Sequence, residues 1–185
     1  WLNHEPWIAS SGFWQLPAFS SYQYGFRRYA GAAFGADGRT PDLYQVTYRI
    51  KPAAGANQIA VLPYYLDPTH YMMVMLNLTN RNVSLWQFDG GTPTSGSTGT
   101  TDVSQNFRGW RPLPAPAADG SYMIRVKVNA VWHSLAVWVG GTWIDTPYLP
   151  AVNQQPHTIG IRANGAPQGV VSVDVLRYDT PEQAR

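Results

Sequence analysis

Cleaving a glycosidic bond asks for two carboxylates held roughly 5–10 Å apart. On a β-strand the residues sharing a face are i, i+2 and i+4. The 185-residue chain has two glutamates, Glu5 and Glu182, each close to a terminus. Of its nine aspartates, Asp37, Asp42, Asp67, Asp89, Asp102, Asp119 and Asp145 fall in turn-like sequence, where Asp most often bonds its own backbone. No two acids occupy i, i+2 or i+4 on an expected strand, so no acid–base pair can be read from the order of residues. No G-x-S-x-G segment presents a serine nucleophile. The absence of cysteine removes thiolate catalysis, disulfides and Cys-ligated metals. His70, His133 and His157 leave a lyase-type base open, but the four histidines are far apart in sequence and none pair at ligand spacing.

Aromatic residues are the abundant resource, with 8 Trp and 11 Tyr in the chain. A sugar offers an apolar C–H face and a rim of hydroxyls. It is recognised by an aromatic ring under that face and polar groups beside it. Strand parity nominates the rings. With Leu135, Val137 and Val139 inward, Trp132 and Trp138 share the outer side. With Val83 and Leu85 inward, Trp86 and Phe88 face out. With Val61 and Pro63 inward, Tyr64 faces out; with Met72, Val74 and Leu76 inward, Tyr71, Met73 and Met75 do. Arg49, Arg125 and Arg162 have outward parity and suit hydroxyls or acidic sugars. The expected ligand-binding set is Trp86, Trp132, Trp138, Tyr64, Tyr71 and Arg125. Against it stands burial of the same rings beneath loops, for example under the aromatic N-terminal segment.

The elements that must carry these side chains read as short strands between Gly, Pro, Asn and Asp. Tyr44, Val46, Tyr48 and Ile50 alternate with Gln45, Thr47, Arg49 and Lys51, the period of a half-buried strand. Pro52–Asn57 reads as a turn, and Ile59–Tyr65, Tyr71–Leu78 and Val83–Phe88 follow as an antiparallel meander. Residues 89–101 are a Gly/Thr/Ser-rich loop, and 110–118 are proline-rich and extended. Tyr122–Val128, Trp132–Val139 and Thr142–Ile144 form hairpins, the last closed by Gly140-Gly141. His157–Ala163 and Val170–Tyr178 end the series, and Gly12–Leu16 and Tyr24–Phe34 are further strands. No helix longer than a turn is expected. Ten to twelve strands so spaced make a single all-β sandwich or barrel over residues 1–185, with 180–185 a frayed tail or linker.

Composition narrows the partners. Charged residues are 13% and the formal net charge is +2, with a pI near 8.9. The cations form no run beyond Arg27-Arg28, which is not a nucleic-acid footprint. No apolar stretch approaches the roughly 20 residues of a membrane span. The chain opens on Trp1 with no export signal, so in an exported protein this numbering starts after the signal or after another domain.

The segments IAVLPYYLDPTHYMMVMLNLTNRNVSLWQFDG, GSYMIRVKVNAVWHSLAVWVGGTWI, HTIGIRANG and VVSVDVLRYD together resemble the concanavalin A-like lectin/glucanase jelly roll. The resemblance is to its laminin-G-like bacterial branch, over roughly Tyr44–Asp179. It implies a β-sandwich of two antiparallel sheets acting as a non-catalytic carbohydrate-binding module. Its ligand would be a polysaccharide or oligosaccharide, with a catalytic domain appended in a longer chain and an extracellular or cell-surface location. The alternatives are a hydrolase or lyase on the same fold, and an assembly module whose aromatic patch meets another protein. No cofactor is implied beyond one structural calcium, with Asp174 as the candidate ligand. Many relatives carry an Arg where this chain has Tyr64, so their charged contacts do not transfer.

Overall fold

The computed structural model describes residues 8–10, 13–16, 42–67, 69–89, 104–106, 110–145, 148–149, 152, 154, 157–164 and 169–177; at 8–10, 13–16, 104–106, 158, 162–164 and 169–177 it describes the backbone alone. Among these residues lie thirteen strands and no helix. They are β1 (Ile8–Ser10), β2 (Phe13–Leu16), β3 (Leu43–Pro52), β4 (Gln58–Asp67), β5 (His70–Asn77) and β6 (Asn82–Asp89). There follow β7 (Ser104–Asn106), β8 (Arg111–Pro112), β9 (Tyr122–Asn129), β10 (Ser134–Val139) and β11 (Thr142–Asp145). The last two are β12 (Thr158–Asn164) and β13 (Gly169–Arg177). The expected strand at 24–34, the loop at 90–101 and the tail at 180–185 lie outside the described residues.

All the strand pairings are antiparallel. One sheet runs β1-β2-β13-β3-β9-β10-β11; the other runs β12-β4-β5-β6-β7, with β8 also on β6. The chain crosses between sheets at Pro52–Asn57, where Gly55 takes a positive φ of 82° that other residues adopt only with strain. The two inner faces make one core. Tyr44, Val46, Tyr48 and Ile50 of β3 and Ile124, Val126 and Val128 of β9 face Val61, Val74, Leu76 and Leu85 of the opposite sheet, all buried. The alternation read along β3 thus becomes the inside and outside of the first sheet.

In β4 the alternation breaks. Val61 pairs with Val74 but Tyr64 pairs with Met72, so Leu62 and Pro63 together oppose Met73. This is a β-bulge, and Pro63 explains its place: lacking an N–H, proline sits in an interior strand only where the ladder is interrupted. The extra residue turns Tyr64 into the core beside Ile59 and Val61, while Ala60, Leu62 and Tyr65 join a second buried cluster with Tyr71, Met73 and Phe88 on the opposite face.

A bulge frees backbone carbonyls, which must find donors when buried. Both are met from across the sandwich. The Tyr44 hydroxyl donates to the Pro63 carbonyl at 2.6 Å and the Tyr48 hydroxyl to the Leu62 carbonyl at 3.0 Å. Burial pushes both phenols well above their usual pKa, and at Tyr44 the neighbouring Tyr48 and Tyr64 push further.

Tyr44→Phe and Tyr48→Phe should each cost about 1–3 kcal/mol of stability, the cost of depriving a buried carbonyl of its donor, measured by urea denaturation at pH 8. The folded state keeps phenolic protons that the unfolded chain releases near pH 10. Stability tied to these groups is therefore complete below about pH 10 and is lost as the pH climbs above it. Urea midpoints between about pH 8 and 11 should fall less steeply for the double variant than for the parent.

Candidate functional site

The outer face of the first sheet gathers aromatic and cationic side chains, and turn chemistry fixes its register. Gly140 and Gly141 have φ of 56° and 81°, the positive pair of a type I′ hairpin, which joins strands through two residues. The turn pairs Val139 with Thr142 and therefore Trp138 with Trp143. On the other side Trp138 pairs with Arg125, and Arg125 with Thr47. One row thus runs Thr47, Arg125, Trp138, Trp143 across four strands. The Arg125 guanidinium lies over the Trp138 indole, 4.4 Å from its centroid, a cation–π contact. Trp143 is 57% exposed. After Trp143 the strand bulges, since Val137 pairs with Asp145 and Ile144 is left over to enter the core.

A second exposed ring comes from the chain beyond β11. The turn after β9 is set by Asn129, a buried residue whose side-chain oxygen accepts the Trp132 N–H at 2.9 Å. His133 follows with φ of 53°, a left-handed conformation in which His is enriched. Its carbonyl accepts the Leu149 N–H at 2.6 Å, and its Nδ1 lies 2.8 Å from the Val152 carbonyl, which makes Nδ1 the protonated nitrogen. Leu149 and Val152 are buried anchors in the core. Tyr148, bridged to Ser134 and edge-on to the His133 ring, is left 68% exposed. Ser134 has the parity of Trp138 four residues on, so Tyr148 belongs to the same outer face. At strand spacings of about 4.8 Å across and 3.3 Å along, the surface from Arg125 to Trp143 to Tyr148 spans about 10 by 13 Å.

On the β3 side of this face Arg49 reaches Asp119 at 2.6 Å. The Ser121 hydroxyl and N–H, helped by Arg49, hold the Asp119 carboxyl down at about 2. Met123, paired with Arg49, is exposed.

The expected ligand set divides. Trp138 and Arg125 stand together on the outer face. Tyr64 does not: the Pro63 bulge reverses its parity, and it is fully buried with its ring centroid 4.2 Å from that of His157. Tyr71 has the outward parity expected of it but is 1% exposed, stacked on its cross-strand partner Phe88 at 4.2 Å. Parity names a face, and this face is closed to solvent. Trp86 is half-buried against the same cluster, donating to Ser84 and set edge-on to Trp110 at 6.3 Å. Trp132 is half-buried and precedes β10, so strand parity does not govern it. Asp174 is registered opposite Thr47; the side chains of Asp174 and Arg162 lie outside the described residues. Among the described residues no group of three or more His, Asp or Glu is placed to hold a metal, so the calcium expectation rests on the resemblance alone. Sequence reading passed over Trp143 and Tyr148. The Gly-Gly turn, which sets Trp143 opposite Trp138, was the available signal for the first.

At one end of the second sheet, His70 lies between two carboxylates. Its Nδ1 is 2.9 Å from Asp67 and its Nε2 4.0 Å from Asp89. Burial raises the Asp67 carboxyl, but bonds from the Thr69 hydroxyl, His70 and the Thr69 N–H outweigh it, and its pKa falls below the usual value. The same oxygen accepts the N–H groups of Thr69 and His70, so Asp67 shapes the β4–β5 turn.

No protein-family profile matches this chain, and no curated protein matches it. Solved structures do. The exo-inulinase of Aspergillus awamori matches over 77% of this chain and 26% of its own, at 15% identity and a TM-score of 0.53. The carbohydrate binding module CBM66 of Bacillus subtilis matches over 92% of this chain and 99% of its own, at 10% identity and 0.52. A protein of unknown function from Saccharomyces cerevisiae matches over 94% and 92%, at 12% and 0.54. This chain thus spans about a quarter of the inulinase and nearly all of the other two. With the two antiparallel sheets, these likenesses establish the concanavalin A-like sandwich.

Trp143→Ala and Tyr148→Ala should cost about 1 kcal/mol or less, as exposed substitutions do. Tyr64→Ala should cost about 3–5 kcal/mol, as large core truncations do. Thermal and urea unfolding of the three variants checks the assignment of faces.

Proposed function

We propose that this domain is a non-catalytic polysaccharide-binding module whose ligand lies on the outer face of the first sheet. The observation that carries the reading is the placing of two exposed rings, Trp143 and Tyr148, on the same face as the Arg125–Trp138 cation–π pair. Exposed aromatic groups gathered on one face mark a binding surface more often than singly scattered ones do. Trp143 and Tyr148 each offer a ring to a sugar's C–H face. Thr47 and Arg125 bring hydroxyl and guanidinium donors alongside, and the span of about 10 by 13 Å, from strand spacings, accepts more than one sugar unit.

The likeness to CBM66 supports the reading at the level of fold. The likeness to the exo-inulinase, over part of that enzyme's length, is in keeping with a binding unit carried beside a catalytic one. Such a unit works from outside the cell or at its surface. Its modest single-site affinity is multiplied by linkage to the partner domain.

Affinity electrophoresis of the domain through gels containing single soluble polysaccharides tests this. At least one polymer should retard it, with no reducing ends released. Trp143→Ala and Tyr148→Ala should each weaken the interaction about tenfold or more, a loss of about 1.4 kcal/mol. Trp86→Ala, on the other sheet, should leave it unchanged. Retardation that survives both outer-face substitutions would place the ligand elsewhere, and no retardation by any polymer would refute the reading.

A further inference from the structure

We infer that the polysaccharide is acidic, its sugar rings bearing carboxylate or sulfate groups; this rests on the glycan-binding reading above and adds the chemical class of the ligand. The outward positions of β3 and β9 carry Arg49, Lys51, Arg125 and Lys127, which include both lysines of the chain. Two acids share the area: Asp119, and Asp174 by its register opposite Thr47. Asp119 is engaged by Arg49 at 2.6 Å. Arg125 differs. Among the described residues no carboxylate lies within ion-pair distance of it, and the group it packs on is the uncharged Trp138 ring.

That contact has a geometric consequence. A cation–π contact takes up none of the guanidinium's five N–H donors in a hydrogen bond to the ring's substituents, and those donors meet a carboxylate or sulfate through two parallel bonds. Trp138 therefore holds Arg125 in place without consuming its donors. Trp143 stands one strand beyond Trp138, about 10 Å from Arg125 at ordinary strand spacing. A chain stacked on Trp143 can thus bring the anion of a neighbouring unit to Arg125.

The test uses the full chain in gels containing polygalacturonate, dextran sulfate, or neutral dextran and galactan, at about 20 and 300 mM salt, either side of strong screening. An acidic polymer should retard the domain at least tenfold more strongly than the neutral ones. Arg125→Gln should lose most of that preference, Arg125→Lys should recover part of it, and Trp143→Ala should abolish retardation. The two acidic polymers distinguish carboxylate from sulfate, and binding to either supports the inference. Retardation by a neutral polymer that Arg125→Gln leaves intact and Trp143→Ala removes would overturn the acidic ligand while preserving the glycan site. Retardation by acidic polymers that survives Trp143→Ala and Tyr148→Ala and disappears at the higher salt would mean charge adsorption alone and overturn it too. Melting curves of Arg125→Gln and Trp143→Ala matching the parent's keep these outcomes from being confused with unfolding.

Discussion

Two phenolic hydroxyls crossing the core, Tyr44 to the Pro63 carbonyl and Tyr48 to the Leu62 carbonyl, are the constraint on which the sandwich turns. They tie the middle of the first sheet to the point where the second is irregular. An interior strand interrupted by proline has buried carbonyls to satisfy, and a dry core offers few donors. By supplying both from one strand, β3 makes the bulge tolerable and fixes the sheets relative to one another. The bulge then decides which β4 side chains enter the core, Tyr64 among them, and which pass to the far side.

The two outer faces differ. That of the second sheet bears Leu62, Tyr65, Tyr71, Met73 and Phe88 and is buried, so its aromatic rings act as core. That of the first sheet bears Thr47, Arg49, Lys51, Arg125, Trp138 and Trp143, a mixture no core would accept, since unpaired charge is expensive out of water. Polar and cationic side chains share this face with Trp143, which stays exposed.

Its precision comes from a few specific contacts. A two-glycine turn sets Trp143 opposite Trp138, a cross-strand cation–π contact holds Arg125, and His133, in a left-handed conformation, holds the segment carrying Tyr148 with its carbonyl and its Nδ1. All of them rest on the β9–β10 pair. On the proposed reading, a platform held this way loses little side-chain freedom on binding a polysaccharide.

Much of this was legible in the order of residues. The alternation in β3, β5, β6, β9 and β10 named the core side of each strand correctly, because period-two patterning is imposed by one buried face. Arg125 and Trp138 followed from it. The Gly140-Gly141 pair fixed the position of Trp143 for a reader who carried the register through the turn, and Pro63 inside an apolar run marked the bulge that misplaced Tyr64. Tyr148 had no such signal, since its place depends on a bridge to Ser134 and on His133 contacts formed only when distant segments meet. Nor could sequence distinguish the closed outer face from the open one. Parity is a property of a single strand, whereas exposure depends on what the rest of the chain packs against it, and that is settled only in three dimensions.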